Sequence, residues 1–176
     1  MSATLPVTTR QILRAAEPTA WYDEGHSIAV FQELVNQQGK EVCRDTARDA
    51  ARYAMVGPWR ELMGAMTGHL GTSPRMAFEQ MPVLWSASRR DAGTLRCTSS
   101  SPRQAITELV GFTFAGHAIW TEIWLGHHDA MLRHLRFTGQ AVVEEIDEKQ
   151  QSIRVRTIFG PPIASPPTND FRGSIG

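Results

Sequence analysis

Residues 116–159 read GHAIWTEIWLGHHDAMLRHLRFTGQAVVEEIDEKQQSIRVRTIF, and their patterning decides the fold. Ile119, Trp120, Ile123, Trp124, His127, Met131 and Leu135 recur every three to four positions, the spacing of one helical face. This predicts a helix over 116–136. Gly126 falls inside it, at a cost of about 1 kcal/mol against Ala, and such a Gly implies close packing or a bend. Thr138-Gly139 stops the helix. Two alternating segments, 140–146 and 150–159, then flank Asp147-Glu148-Lys149. In the second, Ile153, Val155, Thr157 and Phe159 share one face of a strand, with Arg154 and Arg156 on the other. Helix, glycine stop and terminal hairpin is an architectural signature rather than a catalytic one.

Upstream, 94–99 and 104–112 form a second predicted hairpin around the polar turn Ser100-Ser101-Pro102-Arg103. Before it, Ser73-Pro74 opens a helix carrying Met76, Met81, Leu84 and Trp85, with Pro82 expected to kink or split it. Gly57-Pro58 opens another, with Trp59, Leu62, Met63, Met66 and Leu70 on one stripe. The helix predicted over 40–55 has a small face of Val42, Ala47, Ala50, Ala51 and Ala54, which lets a neighbouring helix approach closely. Asp23 is an N-cap candidate for a helix carrying Ile28, Phe31, Leu34 and Val35 and closed by Gly39. Residues 1–20 read as a loosely held arm with room for a short strand or helix, and 160–176, GPPIASPPTNDFRGSIG, as a Pro-rich tail. The expectation is one α/β (α+β) domain over 21–159. Its two layers are an antiparallel sheet of about four strands, built from two hairpins, and about five helices.

Composition narrows the function classes. The chain has 176 residues, 41% hydrophobic and 20% charged, with 18 Lys+Arg against 18 Asp+Glu. This fits one globular domain, and a net charge of zero supplies no field to recruit nucleic acid. Two cysteines, Cys43 and Cys97, are too few for a disulfide framework, which with the lack of a signal-peptide pattern and of a long apolar run predicts a cytoplasmic protein with no membrane span.

Candidate chemistry is sparse. His117, His127, His128 and His134 form the nearest approach to a metal cluster, but the His-x-x-x-His spacing of helical zinc sites is missing, so they read as surface or partly buried histidines and no metal is expected. Cys43 and Cys97 read as small buried hydrophobes. Neither a Gly-x-Ser-x-Gly elbow nor a Gly-rich phosphate loop occurs. Arg154 and Arg156 read as a solvated face with Glu144, Glu145 and Asp147. The aromatic and thioether side chains are the remaining clue: Trp85, Trp120, Trp124, Met81 and Met131 are candidates for the wall of an apolar ligand pocket, unless they are simply core or part of a homodimer interface.

The helix-rich start, the phrase MPVLWSASRRDAG before the first hairpin and IWLGHHDAMLRHLRFTG before the last resemble an uncharacterised bacterial paralogous family. That family is similar in pattern to the superfamily of vinyl-reductase-type ligand-binding domains, TRAPP vesicle-tethering subunits and haem-nitric-oxide sensors. The resemblance covers most of 21–159. It implies an α/β fold with an apolar pocket between helices and sheet, often dimeric. Two of the superfamily's own site motifs are missing: the terminal cysteine cluster of the vinyl-reductase type has no counterpart in 140–159, and the haem sensors' Tyr-x-Ser-x-Arg triplet does not occur, so no cofactor is expected.

The functional expectation is a non-catalytic binding or assembly module for a small hydrophobic ligand or a protein partner, a second copy included. One alternative is a cargo or adaptor protein. Phe171, Ser174 and Ile175 in the tail are its docking candidates, loosely similar to the Gly-Ser-Leu-type peptides that load encapsulin shells. A second alternative is an enzyme working through His127 and His128. The sequence assembles no reaction machinery for it.

Overall fold

The computed structural model describes residues 5–15, 23–39, 41–56 and 73–164. Five helices lie among these residues: α1 (Val7–Ala15), α2 (Glu24–Gln38), α3 (Glu41–Val56), α4 (Pro74–Ser88) and α5 (Ala118–His134). The strands are β1 (Thr94–Ser100), β2 (Gln104–Val110), β3 (Phe137–Asp147) and β4 (Ser152–Pro162). The strands form one antiparallel sheet in the order β1-β2-β4-β3. The expected α+β class, with two hairpins on a helical layer, is the observed one. The stripe expected around Trp59, Met63 and Met66 lies outside the described residues.

Local chemistry sets the helix ends. The Asp23 carboxylate accepts from the Gly25 N–H at 2.7 Å, and Gly39 ends α2 at φ +87°, its own N–H donating to Val35 O. This is the N-cap and glycine stop the sequence announces. Part of the stretch expected as a loose arm is helical, as α1. The last strand runs three residues past Phe159 to Pro162.

Pro82 does not split α4, which is continuous across it. The reason is burial: Phe78, Met81 and Trp85, which bracket the proline, are 0%, 7% and 8% exposed. Three large apolar side chains, at about 1.5–3 kcal/mol each, outweigh the roughly 3 kcal/mol a helical proline costs.

The helix α5 is central. Ten of its residues are buried: the expected stripe of Ile119, Trp120, Ile123, Trp124 and Met131, and also Leu125, Gly126, His128, Ala130 and Leu132. A helix buried nearly all round has neighbours on both sides. One side lies on the sheet. The other meets α3 at Gly126, where an added Cβ would stand 2.8 Å from the Ala47 Cβ, 2.8 Å from Arg44 O and 2.9 Å from Arg48 N. The helical side of the molecule is therefore two helices deep at this point. On α3, Cys43 and Ala47 carry the contact at 1% exposure each. Ala50, expected on the same face, is exposed, and Val42 and Ala51 are half-buried.

Arg44 locks this crossing. Its guanidinium donates to both Asp129 oxygens, at 2.7 and 3.0 Å, and to Ala141 O of β3 at 2.9 Å, so one side chain ties α3 to α5 and covers part of the sheet's edge strand. On the other sheet face, Arg154 pairs with Glu108 and Glu145 at 2.8 and 2.7 Å, and Arg156 pairs with Glu144, the solvated arginine–carboxylate face expected from the sequence.

Gly126→Ala adds about 1 kcal/mol of helix propensity but drives a methyl into two backbone atoms and a buried methyl. Overpacking of this kind costs about 1–3 kcal/mol. We expect a lower thermal midpoint for Gly126→Ala by differential scanning calorimetry, whereas Ala→Gly at exposed Ala50 should cost no more than its propensity of about 1 kcal/mol.

Candidate functional site

The five ligand-wall candidates come together in the core. Trp124 packs edge-on against Trp85 at 5.1 Å between ring centroids and stacks on Trp120 at 5.5 Å. Phe112 closes the group, 4.5 Å from Trp120 and 6.1 Å from Trp85. Trp120, Trp124 and Trp85 are 2%, 3% and 8% exposed, Met131 4% and Met81 7%. The indole N–H of Trp85 donates to Ala92 O at 3.2 Å, which satisfies its polar tip. Offset and edge-to-face pairs at these separations stabilise by about 0.5–1.5 kcal/mol beyond area burial.

Phe112 and Phe78 were absent from the sequence-based candidates. Phe78 was legible, since with Met81 and Trp85 it makes an i, i+3, i+7 stripe. Phe112 was not, because it sits in the irregular stretch after β2, where neither periodicity applies. The tail candidates Phe171, Ser174 and Ile175 lie outside the described residues.

The histidine pair divides. His128, expected at the surface or partly buried, is 0% exposed. Its Nδ1 lies 2.9 Å from Trp124 O and its Nε2 2.9 Å from the Thr107 Oγ1. A carbonyl only accepts, so Nδ1 carries the proton and the threonine hydroxyl donates to Nε2. Neither nitrogen remains for a metal or a proton transfer. Its ring packs 4.6 Å from Trp124 and 5.6 Å from Phe78. Burial pushes the imidazole down to about 4, against a smaller upward pull from the Trp124 carbonyl. His127, one residue on, is half-buried against the Trp124 ring. Burial, then Arg89, then His128 lower its pKa as well.

The thiol readings resolve similarly. Cys43 is buried, and burial with the nearby Glu122 pushes its thiol up to about 11. A thiol held protonated is a small hydrophobe and not a nucleophile. Cys97, expected in the core, is only half-buried, and burial raises its pKa too. Among the described residues no group of three His, Cys, Asp or Glu side chains is placed to hold a metal ion. Nor is any helix there long and apolar enough to cross a membrane.

Because His128 enters the folded state neutral, its linkage has a definite sign. Between its ordinary value near 6.5 and its folded value of about 4, only the unfolded chain takes up the proton, so stability falls as pH is lowered through that window. Below about pH 4 both states are protonated and this contribution is spent. We expect urea midpoints to decline between about pH 6.5 and 4. In His128→Gln the decline should be shallower, though His127 still contributes, and the midpoint near pH 7 should be lower than wild type.

No family model matches this chain, and no curated protein matches it by sequence. Solved structures do resemble it. An oxygen-binding H-NOX domain related to soluble guanylate cyclases, solved as its oxygen complex, aligns over 93% of this chain and 89% of its own, with a TM-score of 0.56 and 14% identity. A mutant H-NOX domain of T. Tengcongensis aligns over 90% and 89% at a TM-score of 0.58 and 14% identity. An unliganded Fe(II) H-NOX protein mutant from K. algicida aligns over 87% and 86% at 0.58 and 9%. At these identities the likeness is one of fold, and the haem-sensor limb of the sequence resemblance is the one that these structures share.

Proposed function

We propose that this chain is a non-catalytic binding module on the haem-sensor fold, and that it takes a small apolar ligand in place of haem. The observation that carries the reading is the likeness of fold along nearly the whole chain to H-NOX domains, one of them oxygen-binding. The residues between α4, α5 and the sheet do not fit haem itself. That space is filled by Trp85, Phe112, Trp120 and Trp124, whose rings contact one another, and by Phe78, whose ring meets His128 and Phe159. The buried His128 has both nitrogens engaged, whereas a haem iron needs a free axial donor. The strand β1 reads TLRCTSS and offers no Tyr-x-Ser-x-Arg triplet.

The apolar-ligand reading rests on what the wall is made of. Met81 and Met131 are soft side chains that repack around a guest, and the indoles offer flat, sequence-tolerant contact. Of the two histidines in the enzyme alternative, His128 has no nitrogen left to act as a base. A protein-partner reading is favoured by one observation. On the outward sheet face Val142 and Ile158 are each 38% exposed beside half-buried Ile106, an apolar strip among the arginine–carboxylate pairs that a second copy or another protein could cover.

Titration with haem should give no saturable one-to-one complex in the visible spectrum. Titration with a panel of small aromatic and aliphatic compounds should quench tryptophan fluorescence for at least one member. Met131→Ala, which enlarges the wall, should change that member's affinity by threefold or more. Stoichiometric haem uptake, or a panel with no effect on the indoles, would reverse the reading.

A further inference from the structure

A cavity of about 390 Å3 opens away from the aromatic wall, where the C-terminal half of α5 meets the start of β3 and the end of β4. Its walls are of two kinds. Leu132, Phe137 and Ile163 supply apolar surface, and Arg48 and Arg133 supply cationic surface. The shape is fixed by the backbone. The Ile163 N–H donates to Arg136 O at 2.7 Å, which pins the end of β4 over the turn that leaves α5. Gly139 sits at φ +146°, where a Cβ would collide with Ile158 O and come within 3.0 Å of the Leu132 Cδ1.

The charges in this cavity are not equally available. Asp129, which also lines it, is held by Arg44 through both oxygens. Arg48 is held by Asp45 at 2.5 Å and Asp49 at 3.3 Å. Arg133 is exposed, and its guanidinium has no hydrogen bond or ion pair among the described residues. The uncommitted charge is therefore a single guanidinium fork beside three apolar side chains, in a volume within the roughly 300–1,000 Å3 range of small-molecule sites.

We infer that this cavity binds an amphipathic monocarboxylate, its carboxylate forked by Arg133 and its hydrocarbon chain laid against Leu132, Phe137 and Ile163. Arginine matches a carboxylate through two parallel N–H···O bonds. A chain of about eight carbons gains about 0.8 kcal/mol for each CH2 it buries. An uncharged alcohol of the same length keeps the second contribution and loses the first, and an alkylammonium meets Arg133 with like charge. The site is separate from the aromatic wall and stands without it.

The test uses the full chain, 15N-labelled, titrated with sodium octanoate, 1-octanol and octylammonium. Octanoate should shift the backbone amides of Arg133, Phe137 and Ile163 in a saturable way, at least tenfold tighter than 1-octanol. Arg133→Gln, at an exposed position, should weaken octanoate at least fivefold and leave 1-octanol unchanged. Ile163→Glu should weaken both. Octylammonium binding as tightly as octanoate, indifference to Arg133→Gln, or no saturable binding would overturn the assignment. Shifts confined to the indole N–H signals of Trp85, Trp120 and Trp124 would also overturn it. That last outcome leaves the aromatic-wall reading standing, so the two proposals fail separately.

Discussion

The helix α5 can lie between α3 and the sheet because residue 126 has no side chain. With the Ala47 methyl, Arg44 O and Arg48 N all less than 3 Å from where a Cβ would be, the two helix backbones touch. That approach brings Asp129 within reach of the Arg44 fork and lets the same guanidinium reach Ala141 O on β3. On the opposite side of α5, His128 is tied through Thr107 to β2. One face of the helix is thus set by the absence of an atom and the other by a buried, neutral imidazole. The aromatic layer fills what lies between α4, α5 and the strands.

Interior polarity follows the same economy. A buried polar group needs a partner, and here the partners are local: Trp124 O and Thr107 for His128, Ala92 O for Trp85. Thr157 is an exception, fully buried with a hydroxyl that finds no partner among the described residues. Groups so fully committed serve architecture. Arg133 differs: exposed beside apolar side chains, its guanidinium has no hydrogen bond or ion pair among the described residues.

Much of this was legible in the chain. Asp23 and Gly39 marked α2, and the alternation of 153–157 marked the last hairpin, because caps, stops and period-two patterns are local; Thr138-Gly139, read as the helix stop, instead lies inside β3, the helix having ended at His134. Gly126 was legible as a close-packing position, but its partner was not, since nothing local tells which helix comes near. His128 was misjudged for a related reason: a polar residue off the apolar stripe reads as exposed unless the helix is buried on both sides. Pro82 was misjudged because its local cost was visible and the burial that offsets it was not. The Trp and Met candidates belong to one buried cluster, while Phe112, outside any periodic element, could be placed only by the fold.

The fold and its filling thus point in different directions. The chain has the architecture of the H-NOX domains it resembles, and the space between α4, α5 and the sheet is occupied by its own aromatic rings. On the proposed reading, this architecture binds an apolar guest without haem. Native mass spectrometry of the purified full chain tests it most directly, since it reports bound mass and copy number together. The expected spectrum holds a population carrying a small non-covalent apolar ligand, with the haem mass absent even after incubation with haem. A chain that retains haem stoichiometrically, or one that stays bare after exposure to apolar compounds, would contradict it.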